Sequence, residues 1–232
     1  MINQSIKMKE RKKKNQKEED LIRIILKMSI TAILASLGII LSSIVVLIPN
    51  FEFISMTIFL ISLLFGSYYG TAAAIAIALI YEFLVTPIYG ASGLLIPFKL
   101  FCYLGLAIIV GLGRKRLVKL SFWELGIIGS LFALIYDSVT TFGGLIVITI
   151  TNLQQNLPAE ISFTVFITLM IVGIPMTITH IISNFVLFGL SRTMINWIIS
   201  AFKYRGVRML MIESFINSHK QELINNPRSE NH

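Results

Sequence analysis

The chain has 232 residues, 55% of them hydrophobic and only 14% charged, with a formal net charge of +8. That balance excludes an ordinary water-soluble globule, in which about a quarter of residues are charged. The single cysteine, Cys102, excludes an intrachain disulfide and any multi-cysteine metal site.

Residues 1–20, with KMKERKKKNQKEED, form a charge run that cannot bury a core and reads as a disordered basic N-terminus. Apolar runs of about 20 residues follow, each long enough to cross roughly 30 Å of hydrocarbon as a helix. They lack the alternation of a barrel strand, so the expected fold is all-α, a bundle of six transmembrane helices over 21–198. A first helix covers 21–48 and stops at Pro49; it exceeds a signal-peptide core and ends in no small-residue cleavage pattern, so it reads as retained. A short second helix runs over 53–65 and turns at FGSYYG (Gly66, Gly70), and a third takes 70–86, ending before Pro87. The loop TPIYGASGLLIP leads to a fourth helix over 97–113, closed by GRKR, and a fifth spans 122–146.

The stretch 160–199 is too long for one span, and GIP at 173–175 offers a break because proline suits the first turn of a helix. The sixth helix is therefore placed at 174–198, with 160–172 as a separate helical piece near the outer surface. One undivided, strongly tilted helix is the alternative. The tail 199–232 contains FKYRGVRMLMIESFI, which reads as an interfacial helix.

Basic residues set the orientation. They crowd the N-terminal run, GRKRLVK at 113–119 and the tail (Lys203, Arg205, Arg208), whereas the turns at 49–52, 86–97 and 147–160 hold no Lys or Arg. Six helices put every basic segment on the cytoplasmic side, with both termini. Anionic lipid beside that basic strip accounts for the charge, and no nucleic acid is expected.

Ionisable groups inside spans are costly and each needs a reason. The apolar regions hold Glu82, Lys99, Asp137 and His180, with the amide of Asn184. Counting about 1.5 Å per residue puts all five in the outer half, Asp137 roughly 22 Å from the cytoplasmic side. Lys99, Cys102 and Tyr103 share one helical face, as do Asp137, Thr140 and Thr141, and Thr177, His180 and Asn184. Three polar stripes at similar depth suit a ligand pocket open to the outside. Lys99 also has structural readings, either snorkelling to the interface or pairing with Glu82. His180 and Asn184 equally suit interhelical hydrogen bonding. On the first helix, Thr31/Ala35 and Ala32/Ser36 are small-xxx-small pairs that admit close approach of a helix, from this chain or a partner.

The chain has no phosphate-binding loop, no H-E-x-x-H and no G-x-S-x-G, hence no recognisable engine or hydrolytic motif of its own. The order IPNFEF, a short helix, LLFGSYYGTAAA, then YGASG, YDSVTTFGG and GIPMTITHIISNFVLF resembles the substrate-binding S components of energy-coupling factor (ECF) importers, over roughly 25–198. The resemblance implies a prokaryotic plasma-membrane protein that captures a vitamin or related micronutrient near the outer face. It also implies docking to a membrane T component driven by two cytoplasmic ATPases, partly through Thr31, Ala32, Ala35 and Ser36, which meet the family's Ala-x-x-x-Ala pattern only approximately. Asn50, Glu52 and Tyr89 would then help cover the ligand, with Lys99, Tyr103, Asp137, Thr140, Thr141, His180 and Asn184 around it, and no cofactor or metal. Helices five and six resemble corrinoid-binding members, although no short motif fixes the cargo. The residues alone also admit an intramembrane enzyme using Asp137 and His180 as an acid–base pair, or a carrier coupled to protons through Asp137 or Glu82.

Overall fold

Each apolar run of the chain becomes a helix, because a backbone in a poor hydrogen-bonding solvent must satisfy its own N–H and C=O groups. The structure, a computed structural model, describes residues 2–45, 51, 53–89, 93–155 and 163–204. Six α-helices account for nearly all of them: α1 (Ile2–Ile44), α2 (Ile54–Phe65), α3 (Ser67–Tyr89), α4 (Ile96–Leu117), α5 (Phe122–Gln154) and α6 (Phe163–Tyr204). A 3-10 turn at Gly93–Leu95 leads into α4. No strand occurs among the described residues.

Five helices are long and apolar enough to cross a membrane, and α2 is the short exception. Their large apolar side chains point outward: Phe101, Ile109, Leu112 and Trp197 are 71%, 72%, 75% and 72% exposed. Each Å² of such surface left in water forgoes roughly 25 cal/mol, so lipid is the matching solvent. The protein is a multi-pass membrane protein.

The core is organised around α2, whose twelve residues are all buried. A helix apolar on every side must be surrounded, and α1, α3, α4 and α6 do this. Two glycines permit the close approach: a Cβ on Gly38 of α1 would collide with Thr57, and one on Gly70 of α3 with Ser62. Gly66, at φ +92°, makes the reversal between α2 and α3 in a backbone region that disfavours other residues.

Several helix boundaries differ from the sequence expectation. The charge run expected to be disordered is helical, and α1 begins at Ile2. Lys, Arg, Glu and Gln are good helix formers, and Arg23 pairs with Glu19 and Asp20 at helical spacing. Helix α3 continues past Pro87 to Tyr89; the proline gives up the bond to Phe83 O but has only two helical residues after it to disturb. Helices α4 and α5 run on to Leu117 and Gln154.

The expected break at 173–175 is absent: α6 is one 42-residue helix with Pro175 inside it, as in the undivided alternative. The proline has no N–H to give Ile171 O, a loss that membrane helices tolerate because neighbouring groups and local adjustments re-satisfy the freed backbone. At about 50 and 63 Å, α5 and α6 exceed a hydrocarbon layer of roughly 30 Å.

Basic side chains gather at one end of the bundle. Lys27 of α1 sits 6.0 Å from the ring centre of Tyr69 at the start of α3, and Arg114 at the end of α4 faces the α2–α3 turn at Gly66. At the same end Arg192 of α6 donates through Nη1 to Val118 O and Leu120 O, each at 2.7 Å, bracing the α4–α5 turn. Ser121 and Glu124 close a capping box there and start α5.

Candidate functional site

The polar residues of the spans meet in one connected line across four helices. Glu82 of α3 is 3% exposed, and its Oε1 accepts from Lys99 Nζ of α4 at 2.6 Å. One turn further along α4, Tyr103 stacks on Tyr136 of α5, with ring centres 5.4 Å apart and hydroxyls at 3.2 Å. The next residue of α5, Asp137, accepts through Oδ1 from His180 Nδ1 of α6 at 2.7 Å. The other ring nitrogen, Nε2, lies on the far side of the imidazole from Asp137. The imidazole also meets the edge of Tyr136, centre to centre 5.4 Å.

Three side-chain atoms here are buried without a hydrogen-bond partner among the described residues: Asp137 Oδ2, His180 Nε2 and Asn184 Oδ1. His180 and Asn184 are 2% and 0% exposed, and Asn184 Nδ2 donates back to His180 O at 3.1 Å. Each unmade buried hydrogen bond costs about 1–3 kcal/mol. Such a concentration is what a binding centre carries when its ligand supplies the missing partners.

Below this cluster, toward the basic end, the bundle is closed by aromatic rings. Phe132 leans on Tyr136 at 5.9 Å and stacks with Phe188 at 6.2 Å, and Phe188 meets Phe59 of α2 at 4.6 Å. Glycines let α5 press onto its neighbours: a Cβ at Gly129 would lie 2.6 Å from Asn184 O, and one at Gly143 would lie 2.6 Å from Phe98 of α4.

Of the expected ligand contacts, Lys99, Tyr103, Asp137, His180 and Asn184 converge. The depth of His180 changes, because α6 starts at Phe163 and the imidazole lies about 25 Å along it rather than one turn in. Thr140 drops out as a free hydroxyl: Oγ1 donates to Tyr136 O at 2.8 Å, with a longer contact to Asp137 O at 3.2 Å. Thr141 is half-buried beside it. Asn50 and Glu52 lie outside the described residues, and Tyr89 is the last residue of α3.

The docking stripe splits. Ala32 and Ser36 are exposed, whereas Ala35 is half-buried against the core and Thr31 is half-buried with its Oγ1 covered. Sequence reading missed Tyr136, whose signal was its place beside Asp137 and on one face with Thr140 and Gly143.

An open groove of about 360 Å³ runs along α5 and α6, lined by Leu134, Ile167, Met170, Ile171, Ile174, Thr177 and Ile178. It is apolar and includes none of the three unpartnered groups, so the polar cluster is the better candidate for chemistry. Among the described residues no group of three or more His, Cys, Asp or Glu is placed to hold a metal. Comparisons with family models, curated proteins and solved structures find no match for this chain.

Proposed function

We propose that the chain is the substrate-binding subunit of an ECF-type importer in a prokaryotic plasma membrane. It would capture a vitamin-like micronutrient at the outer face and deliver it inward with a membrane T component and two ATPases. The observation that carries this reading is the line Glu82–Lys99, Tyr103–Tyr136 and Asp137–His180. It ends in buried polar atoms unpartnered among the described residues, above an aromatic floor, inside a bundle whose outer wall is apolar. Lys27, Arg114 and Arg192 gather at the other end of the bundle, which by the positive-inside rule supports an outward-facing cluster. The exposed Ala32 and Ser36 leave a smooth strip of α1 for the T component.

The Asp137–His180 hydrogen bond also favours a second reading, an intramembrane hydrolase. In a nucleophilic dyad Nε2 would contact a hydroxyl or thiol, whereas His180 Nε2 has no partner among the described residues. Binding is therefore the stronger reading.

The test is purification of the full chain in mild detergent, followed by native mass spectrometry and transport assays in liposomes. A stoichiometric small molecule, with ATP-dependent uptake only when the T component and ATPases are present, is the expected result. Chemical turnover by the chain alone would point to the hydrolase, and uptake driven by a proton gradient without an ATPase would point to a carrier.

A further inference from the structure

We infer that the groove between α5 and α6 is a lipid site: one acyl chain, from the leaflet opposite the basic end, lies in it and packs a part of α6 that no protein element covers. The site follows from the membrane-spanning bundle and holds whether or not the chain is an importer subunit.

Helix α6 changes character at His180. Beyond that residue it sends Leu187, Phe188 and Ile195 into the interior, whereas none of residues 163–179 is buried. Most of a helix's stability in a protein comes from packing one face, so this half is poorly supported. Pro175 weakens it further, because Ile171 O receives no N–H from it. Phe166 does reach Phe142 of α5, with ring centres 6.3 Å apart. Next to that contact the two helices leave the groove of about 360 Å³.

Its dimensions and depth suit one lipid chain. From Ile167 to Ile178 the groove follows α6 for about 16 Å. On α5, Leu134 lies about 18 Å from Phe122 at the basic end, and Phe142 about 30 Å. The groove therefore occupies the far half of a hydrocarbon layer roughly 30 Å thick, and its length is close to that of one leaflet, about 15 Å.

Other occupants fit less well. Thr177 is the only polar residue of the lining, and an apolar cavity stays dry and takes hydrocarbon. A partner helix about 10 Å across and 16 Å long fills roughly 1,200 Å³, so it could only lie over the groove and leave it empty. An acyl chain is narrow, flexible and present in the surrounding bilayer. It gives up no hydration on entering, and it restores the dispersion contacts that an empty groove forfeits. Thr177 precedes His180 by one turn on the same helical face, so the lipid supports the stretch of α6 that leads into the polar cluster.

The test reconstitutes the full chain in dioleoylphosphatidylcholine, extracts it in detergent and follows it by native mass spectrometry while loosely held lipid is stripped. The expected result is a persistent species carrying one phospholipid. Ile174→Trp puts an indole into the groove and should lower the occupancy of that species about tenfold. Val172→Trp changes an outward position, 73% exposed and outside the lining, and should leave it unchanged. Amide exchange across 163–179 should rise when the last lipid leaves the native chain and stay constant in Ile174→Trp, where the indole takes the lipid's place. Should Ile174→Trp fail to fold, Ile171→Trp fills the same groove from one turn earlier.

Absence of a persistent one-lipid species in the native chain overturns the inference, as does equal occupancy in Ile174→Trp or an equal fall in Val172→Trp. Amide exchange across 163–179 that ignores lipid removal overturns it too. Loss of a co-purified micronutrient from Ile174→Trp, with the phospholipid still bound, would give the groove to the cargo instead.

Discussion

Asp137 and His180, 43 residues apart in sequence, form the hydrogen bond that ties the middle of α5 to the middle of α6, with Nδ1 and Oδ1 separated by 2.7 Å. The pair holds the imidazole in one orientation, with Nε2 on the ring's far side and unpartnered among the described residues. Asp137→Ala would strip the ring of its hydrogen-bond partner and leave both nitrogens unsatisfied among the described residues. We expect a loss of about 1–3 kcal/mol in folding stability and loss of ligand retention, measured by thermal unfolding and by the amount of co-purified small molecule. Asp137→Asn should retain most of the stability. Equal damage from both variants would mean that the carboxylate's charge, lost in each, matters rather than its shape and hydrogen bond.

Glu82 and Lys99 make the second prediction. Their side chains are 3% and 21% exposed, so the pair is shielded from water. Removing one partner of a buried pair strands the other charge, at about 3–5 kcal/mol, whereas replacing both by apolar groups is often neutral. Lys99→Met alone should destabilise strongly, and Glu82→Leu with Lys99→Met should recover most of the loss. A double-mutant cycle by detergent unfolding reads the coupling. Additive effects would show that the two residues do not interact, and a double variant that is stable but no longer retains ligand would make the pair part of the binding site.

The contact between α5 and α6 depends on Gly129, where a Cβ would lie 2.6 Å from both Asn184 O and Phe188 Cγ. Gly129→Ala should therefore push α6 outward and cost about 1–3 kcal/mol as an overpacked site. Gly144, with open space around it, is the control: its alanine variant should be neutral or slightly stabilising, because alanine favours helix. Unfolding midpoints of the two variants check the contrast.

Much of this arrangement is legible in the sequence. An ionisable residue in an apolar run stands out, so Glu82, Lys99, Asp137 and His180 announce themselves. Their pairing is less visible: helical spacing gives the face on which a residue lies but not the rotation of one helix against another. That rotation is set by close approaches such as Gly129 on Asn184 and Gly143 on Phe98. Tyr136 stayed hidden because a tyrosine in an apolar helix is unremarkable until its ring is found stacked on Tyr103. The ends of α1 and α6 were misread for a related reason. A Lys/Glu/Gln run suits solvated coil and helix alike, and Pro175 can begin a helix or sit within one.

Arg192 supplies the last prediction. It is the single basic residue of α6 before Lys203, and its Nη1 reaches two carbonyls, Val118 O and Leu120 O. Helix α4 ends at Leu117 and α5 begins at Phe122, so these carbonyls belong to the turn that joins them. A guanidinium suits this role because its charge is permanent and its donors are fixed in a plane, whereas a lysine ammonium presents a flexible point charge. Arg192→Lys should loosen the turn by part of the value of a charge-assisted bond, about 1.5–3 kcal/mol, and Arg192→Leu by more. Amide exchange should rise across 117–121 in both variants while exchange around Tyr103 and Tyr136 stays at the native level. Faster exchange throughout α5 would instead make Arg192 a support of the whole α5–α6 contact, with ligand retention falling alongside stability.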